Sequence, residues 1–112
     1  MMPFPPILDR QPAPRAAFLL DMDPGLGAFQ GHFPDFPVLP GVVQVDWAAR
    51  LGKEAFGPLG TFRGIELLKF QGLIQPGPPA ELHLHWQPEK GALRFTYTCD
   101  GERKSTGLLL FE

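Results

Sequence analysis

Between Gly41 and Phe56 the apolar residues recur every three or four positions, while over most of the remaining chain they alternate with polar ones. Val42, Val45, Ala49, Gly52 and Phe56 share one face of the implied helix, and Val43, Trp47 and Leu51 form a second apolar stripe. A helix apolar on most sides is expected to be buried, not laid along a surface. Gly57-Pro58 and Gly60 supply the stop. The alternating segments predict strands over 6–10, 16–22, Phe62–Phe70, Ala80–Gln87, 93–99 and 103–111. Leu82, Leu84 and Trp86 fall on one face of the fourth strand, and Phe95, Tyr97 and Cys99 on one face of the fifth. Pro12-Ala13-Pro14 turns the first pair, Glu89-Lys90-Gly91 turns the fourth strand into the fifth, and Asp100-Gly101 is a two-residue hairpin signal. Positions 24–40 read as loop, and no internal repeat is found. Two short strands, one long helix and a four-stranded antiparallel meander predict an α+β fold, a curved sheet wrapped around the helix.

Composition narrows this only a little. At 112 residues the chain is expected to be one domain spanning 1–112, with an ordinary globular balance of 44% hydrophobic and 20% charged residues. A domain of this size is marginal alone, and association is a common remedy. The net charge of −2 offers no general attraction to nucleic acid or an anionic membrane. No apolar run approaches the roughly 20 residues that span a bilayer, and the N-terminus does not read as a signal peptide. Cys99 is alone, so no internal disulfide is possible and a reducing cytoplasm fits. Of the fourteen prolines, eleven cluster at 3–6, 12–14, 34–40 and 76–79, where they punctuate elements.

One of these clusters carries chemistry. The run Gly-His-Phe-Pro-Asp-Phe-Pro-Val-Leu-Pro-Gly-Val-Val-Gln-Val-Asp, residues 31–46, sets His32 on a loop stiffened by Pro34, Pro37 and Pro40. It then opens a helix at Gly41, whose first N–H groups lack internal partners and sit at the positive end of the helix dipole. Asp46 follows about one turn inside. A base on a rigid loop, free donors at a helix start and a nearby carboxylate are the parts of an acid–base site acting on a polarised carbonyl. Read from the residues alone, Asp46 could equally be an ordinary i,i+4 ion pair with Arg50, and His32 an exposed loop histidine. His83 and His85 share a strand face, but no further acid or cysteine at ligand spacing makes them a metal site. No Gly-rich phosphate loop or serine nucleophile elbow is present.

The string resembles a known family. Gly-His-Phe-Pro-x-x-Pro-x-x-Pro-Gly-Val, with an acid fourteen residues after the histidine, looks like the β-hydroxyacyl-acyl-carrier-protein dehydratases of the FabA/FabZ type. Val38 to Trp47 is most similar to the small ApeI-like, aryl-polyene-type dehydratases, and Asp at position 46 is the choice of the FabA branch. Weaker similarity at Phe4–Arg10, Phe62–Ile65 and Lys69–Phe70 extends the resemblance over roughly residues 4 to 111. It implies a hotdog fold that pairs into homodimers or higher assemblies, with active sites at the interface. It also implies a cytoplasmic lyase without cofactor or metal, dehydrating a (3R)-3-hydroxyacyl group carried on the phosphopantetheine of acyl carrier protein, in fatty-acid, aryl-polyene or polyketide-like synthesis. In that frame His32 removes the C2 proton, Asp46 helps the 3-hydroxyl leave, and Gly41 with Val42 holds the thioester oxygen. Phe29, Phe33, Phe36 and Leu39 are candidate walls for the acyl chain. Arg50 departs from the family, which often has Gln there; a guanidinium beside Asp46 favours the ionised carboxylate and so opposes proton donation. The alternatives are a hotdog thioesterase and a non-catalytic acyl-thioester-binding module.

Overall fold

The alternating segments pair into a six-stranded antiparallel sheet, and the segment of helical period packs on one side of it. The structure, a computed structural model, describes residues 4–11, 15–30 and 37–112. In chain order the elements are β1 (Ile7–Gln11), β2 (Arg15–Leu20), α1 (Gly41–Phe56), β3 (Phe62–Phe70), β4 (Ala80–Gln87), β5 (Ala92–Cys99) and β6 (Glu102–Phe111), with single 3₁₀ turns at Gly27–Phe29 and Pro88–Lys90. The bounds of α1, β3 and β4 are those predicted, and the other strands shift by at most two residues. Asp100 and Gly101 both have positive φ, 52° and 76°, the backbone that a tight two-residue hairpin demands.

The strand order is β1-β2-β4-β5-β6-β3. This corrects the expected four-stranded meander: only β4, β5 and β6 form one. β3 pairs with β6, from Phe62 opposite Phe111 to Phe70 opposite Ser105, and β2 takes the place beside β4. The reason lies in the link between β3 and β4, residues 71–79. It is too long for a tight hairpin and carries Pro76, Pro78 and Pro79. It crosses beneath the helix start instead, donating no strand but bonding to the neighbouring loops. The Leu39 N–H donates to the Ile74 carbonyl at 2.8 Å, and the Gly77 N–H to that of Met22 at 2.9 Å.

Inward-facing Leu82 and Leu84 of β4, Leu93, Phe95 and Tyr97 of β5 and Leu109 of β6 pack against Trp47, Ala48 and Leu51 of α1. Each large apolar side chain so buried contributes roughly 1.5–3 kcal/mol. The helix is buried on one side only, which corrects the second expectation. Val43, Trp47 and Leu51 face the sheet, whereas Val45 and Ala49 are half-buried and Val42 is 80% exposed. One sheet covers one face of a helix: Val42 points away from it, while Gly52 of the same stripe meets Leu93 of the sheet. β3, an edge strand, is uncovered in the same way: Phe62, Ile65, Leu67, Leu68 and Phe70 are all exposed. Leu67 sits at φ 55° inside a register shift between Glu66 and Lys69, a bulge that bends this edge.

Candidate active site

The site grows from the way α1 begins. Pro40 occupies the N-cap in an extended conformation and provides no side-chain cap. Its carbonyl accepts from the N–H groups of both Val43 and Gln44, each at 3.1 Å. Gly41 and Val42, at the first two helical positions, precede any acceptor the helix itself can offer. Their N–H groups therefore stand at the positive end of the dipole as donors for an outside anion. A Cβ at position 41 would lie 2.6 Å from Cζ of Phe70, at the end of β3, so a larger residue there would push this half-exposed ring aside. Only glycine lets this ring close over the helix start.

Asp46 lies five residues further on, about 7.5 Å along the axis at 1.5 Å per residue. Val42, Asp46 and Arg50 follow one another at i, i+4 and i+8, on the outward face of the helix. Asp46 is half-buried, and its Oδ2 accepts from Nη1 of Arg50 at 3.2 Å. The guanidinium carbon of Arg50 in turn lies 3.9 Å from the ring centroid of Phe4. On the far side of Arg50 a cavity of about 370 Å³ opens between Ala49, Lys53, Pro58, Leu59 and Phe111.

Beneath this face a buried polar network locks the helix start to the sheet. The Gln44 amide donates from Nε2 to the Leu39 carbonyl at 3.0 Å and accepts at Oε1 from the Ser105 hydroxyl at 2.6 Å. The Tyr97 hydroxyl donates to the Gln44 backbone carbonyl at 2.7 Å. Burial, and secondarily the negative charge of Asp46, push the Tyr97 phenol well above its ordinary value of 10.0, so it stays a neutral donor. Sequence reasoning missed all three residues. Gln44 alone carried a signal, as the polar residue within Val-Val-Gln-Val. Its partners lie 53 and 61 residues away, and only the fold brings them near.

Of the residues singled out from sequence, the structure thus brings Gly41, Val42, Asp46 and Arg50 onto one stretch of helix. Phe29 and Leu39 are buried in the core cluster. His32, Phe33 and Phe36 lie outside the described residues. The exposed His83 is engaged by Glu81, Nε2 to Oε2 at 3.0 Å.

One long helix packed on a six-stranded antiparallel sheet places the chain in the hotdog-fold class, and the comparisons with known proteins identify it as a dehydratase. The family model described as ApeI dehydratase matches residues 9–108, and the chain belongs to this ApeI-like family. Among solved structures it is similar to the dehydratase heterocomplex ApeI:P from Xenorhabdus doucetiae, with TM-score 0.88 and 39% identity over 95% of this chain and 96% of that one. It is also similar to an uncharacterised protein from Erwinia carotovora subsp. atroseptica, with TM-score 0.86 and 32% identity over 96% and 95% of the two chains. Among curated relatives, the 3-hydroxyacyl-[acyl-carrier-protein] dehydratase FabZ of Acetivibrio thermocellus is 33% identical, over 94% of this chain and 79% of that protein. The FabZ of Clostridium perfringens is 37% identical, over 74% and 67%. The chain is a dehydratase, a hydro-lyase, with the hotdog fold.

Proposed function

We propose that this dehydratase converts a (3R)-3-hydroxyacyl thioester on acyl carrier protein to the trans-2-enoyl thioester, in fatty-acid, aryl-polyene or related synthesis in the cytoplasm. The observation that carries this reading is the start of α1, where the N–H groups of Gly41 and Val42 precede any acceptor within the helix and a half-buried carboxyl, Asp46, follows just over a turn further on. The thioester carbonyl acidifies the C2 hydrogen, and the His32 imidazole takes it as a proton. Negative charge that builds on the thioester oxygen is met by the Gly41 and Val42 N–H groups, which cost no reorganisation at that moment. The C2 electron pair forms the C2–C3 double bond as the C3–O bond breaks. Asp46 gives its proton to the departing hydroxyl, which leaves as water. Arg50 bonds Oδ2 of Asp46 at 3.2 Å and so fixes how that carboxyl is oriented.

The same face argues for a second protomer. Val42 at 80% exposure, with Phe62, Leu67 and Phe70 of the edge strand each above half exposed, leaves more apolar surface open than a lone small domain tolerates. We place the partner there, as a homodimer in which His32 of one protomer serves Asp46 of the other. The solved ApeI:P neighbour is described as a heterocomplex, so a paired, different hotdog chain is the second reading. Sedimentation of the purified chain separates the two: a dimer supports the first, and a monomer that dimerises only with another chain supports the second.

Incubation with a crotonyl thioester tests the activity. Hydration at C3 is the expected result. Release of free thiol would make the chain a thioesterase, and saturable binding without reaction would make it an acyl-binding module.

A further inference from the structure

Alternation sends every second residue of β2, β4 and β5 to the face of the sheet turned away from α1. The register sets Arg15 opposite His85 and His85 opposite Arg94, so two guanidiniums flank one imidazole in a single row across three strands. The next row holds Ala17, His83 and Thr96. With only a methyl group at Ala17 and a short side chain at Thr96, the surface sinks here. The groove measures about 370 Å³ and is lined by Arg15, Ala17, His83, His85, Arg94 and Thr96.

Its cations are uncompensated within the chain. Among the described residues neither Arg15 nor Arg94 is in an ion pair. Glu81, the acid that β4 turns to this face, is held by His83 at 3.0 Å and by the Thr98 hydroxyl at 3.4 Å. Glu66 of β3 lies in the row of Arg94 but beyond Leu108, and it forms no bridge to Arg94. Like charges brought together across a sheet cost stability. A chain of net charge −2 nonetheless gathers them in one dip.

We infer that this groove is a binding site for a phosphate group, held between the Arg15 and Arg94 guanidiniums with the His85 ring and the Thr96 hydroxyl as further donors. Direct cross-strand neighbours stand roughly 5 Å apart at Cβ, which starts Arg15 and Arg94 about 10 Å apart, within reach of a common anion above His85. Donors arriving from three strands suit a tetrahedral oxyanion, whose oxygens face several ways. A carboxylate presents two coplanar oxygens and is satisfied by a single guanidinium fork. The volume falls in the range of small-molecule sites, about 300–1,000 Å³, and leaves room for an organic body beside the phosphate.

The test follows backbone amides by ¹H–¹⁵N NMR while inorganic phosphate, propyl phosphate, acetate and a hexaglutamate peptide are titrated in turn into the intact chain at low salt. Both phosphates should saturate at one per chain and shift the amides around Arg15, His85, Arg94 and Thr96. Tighter binding of the ester would assign the groove to a phosphorylated small molecule, and equal binding to free phosphate; either supports the inference. Arg15→Gln and Arg94→Gln, both at exposed positions, should each weaken phosphate binding about tenfold, as loss of one charge-assisted hydrogen bond predicts. Lys90→Gln removes the same charge from an exposed turn outside the groove and should leave the affinity as it was. A response that never saturates or that centres elsewhere would overturn the inference. So would acetate binding as tightly as phosphate, an equal loss of affinity in Lys90→Gln, or binding of the acidic peptide alone.

Discussion

At the residue scale the account turns on a base outside the described residues and an acid within them. His32→Ala should lower kcat at least about 10²-fold with little change in Tm, as expected of a proton-transfer group on a loop. Asp46→Asn should also slow turnover while leaving affinity for an enoyl thioester nearly intact; steady-state kinetics and equilibrium binding check the pair. Both assignments start from the sequence, where prolines and a helix-opening glycine frame the two residues within sixteen consecutive positions. Gln44, Tyr97 and Ser105 were not legible in the sequence, because their roles are contacts made across the fold. Tyr97 carries its own pH signature. Its phenol is raised in the folded state by burial, so the neutral form is favoured there and its contribution is complete below the ordinary value of 10.0. As pH rises beyond that, the unfolded chain ionises first and stability falls. Denaturant unfolding of the wild type should weaken above about pH 10. Tyr97→Phe should start less stable, having lost the bond to Gln44, but decline less steeply over the same range.

At the scale of elements, α1 was readable end to end because its boundaries are chemical. Pro40-Gly41 opens it, and Gly57, at φ 82° with its N–H on the Lys53 carbonyl at 2.9 Å, closes it ahead of Pro58. Which stripe faces the sheet was not readable, since two apolar stripes satisfy the helical period equally. The position of β3 also escaped the pattern, because alternation marks a strand without naming its neighbour. Helix and sheet meet closely at Gly52, where a Cβ would come within 2.5 Å of Cδ2 of the fully buried Leu93. Gly52→Ala should gain about 1 kcal/mol in helix propensity and lose about 1–3 kcal/mol to overpacking. Its urea midpoint should therefore fall, against the rise expected of the same change at an open helical site.

At the scale of the whole molecule, the described residues leave two surfaces uncovered together: the outward stripe of α1 and the exposed apolar row of β3. Phe70 joins them, since its ring lies over Gly41. The open amides, the half-buried Asp46 and the exposed apolar residues thus border one region, which is where a second chain would complete the site. The most direct test of that claim mixes two inactive proteins. His32→Ala and Asp46→Ala protomers, each folded and each without turnover, are unfolded together, refolded and assayed for hydration of a crotonyl thioester. If a site takes His32 from one chain and Asp46 from the other, each mixed dimer holds one intact site, and about a quarter of wild-type activity should return, rising toward half if mixed pairing is preferred. No recovery from a mixture shown to contain mixed dimers would contradict the account.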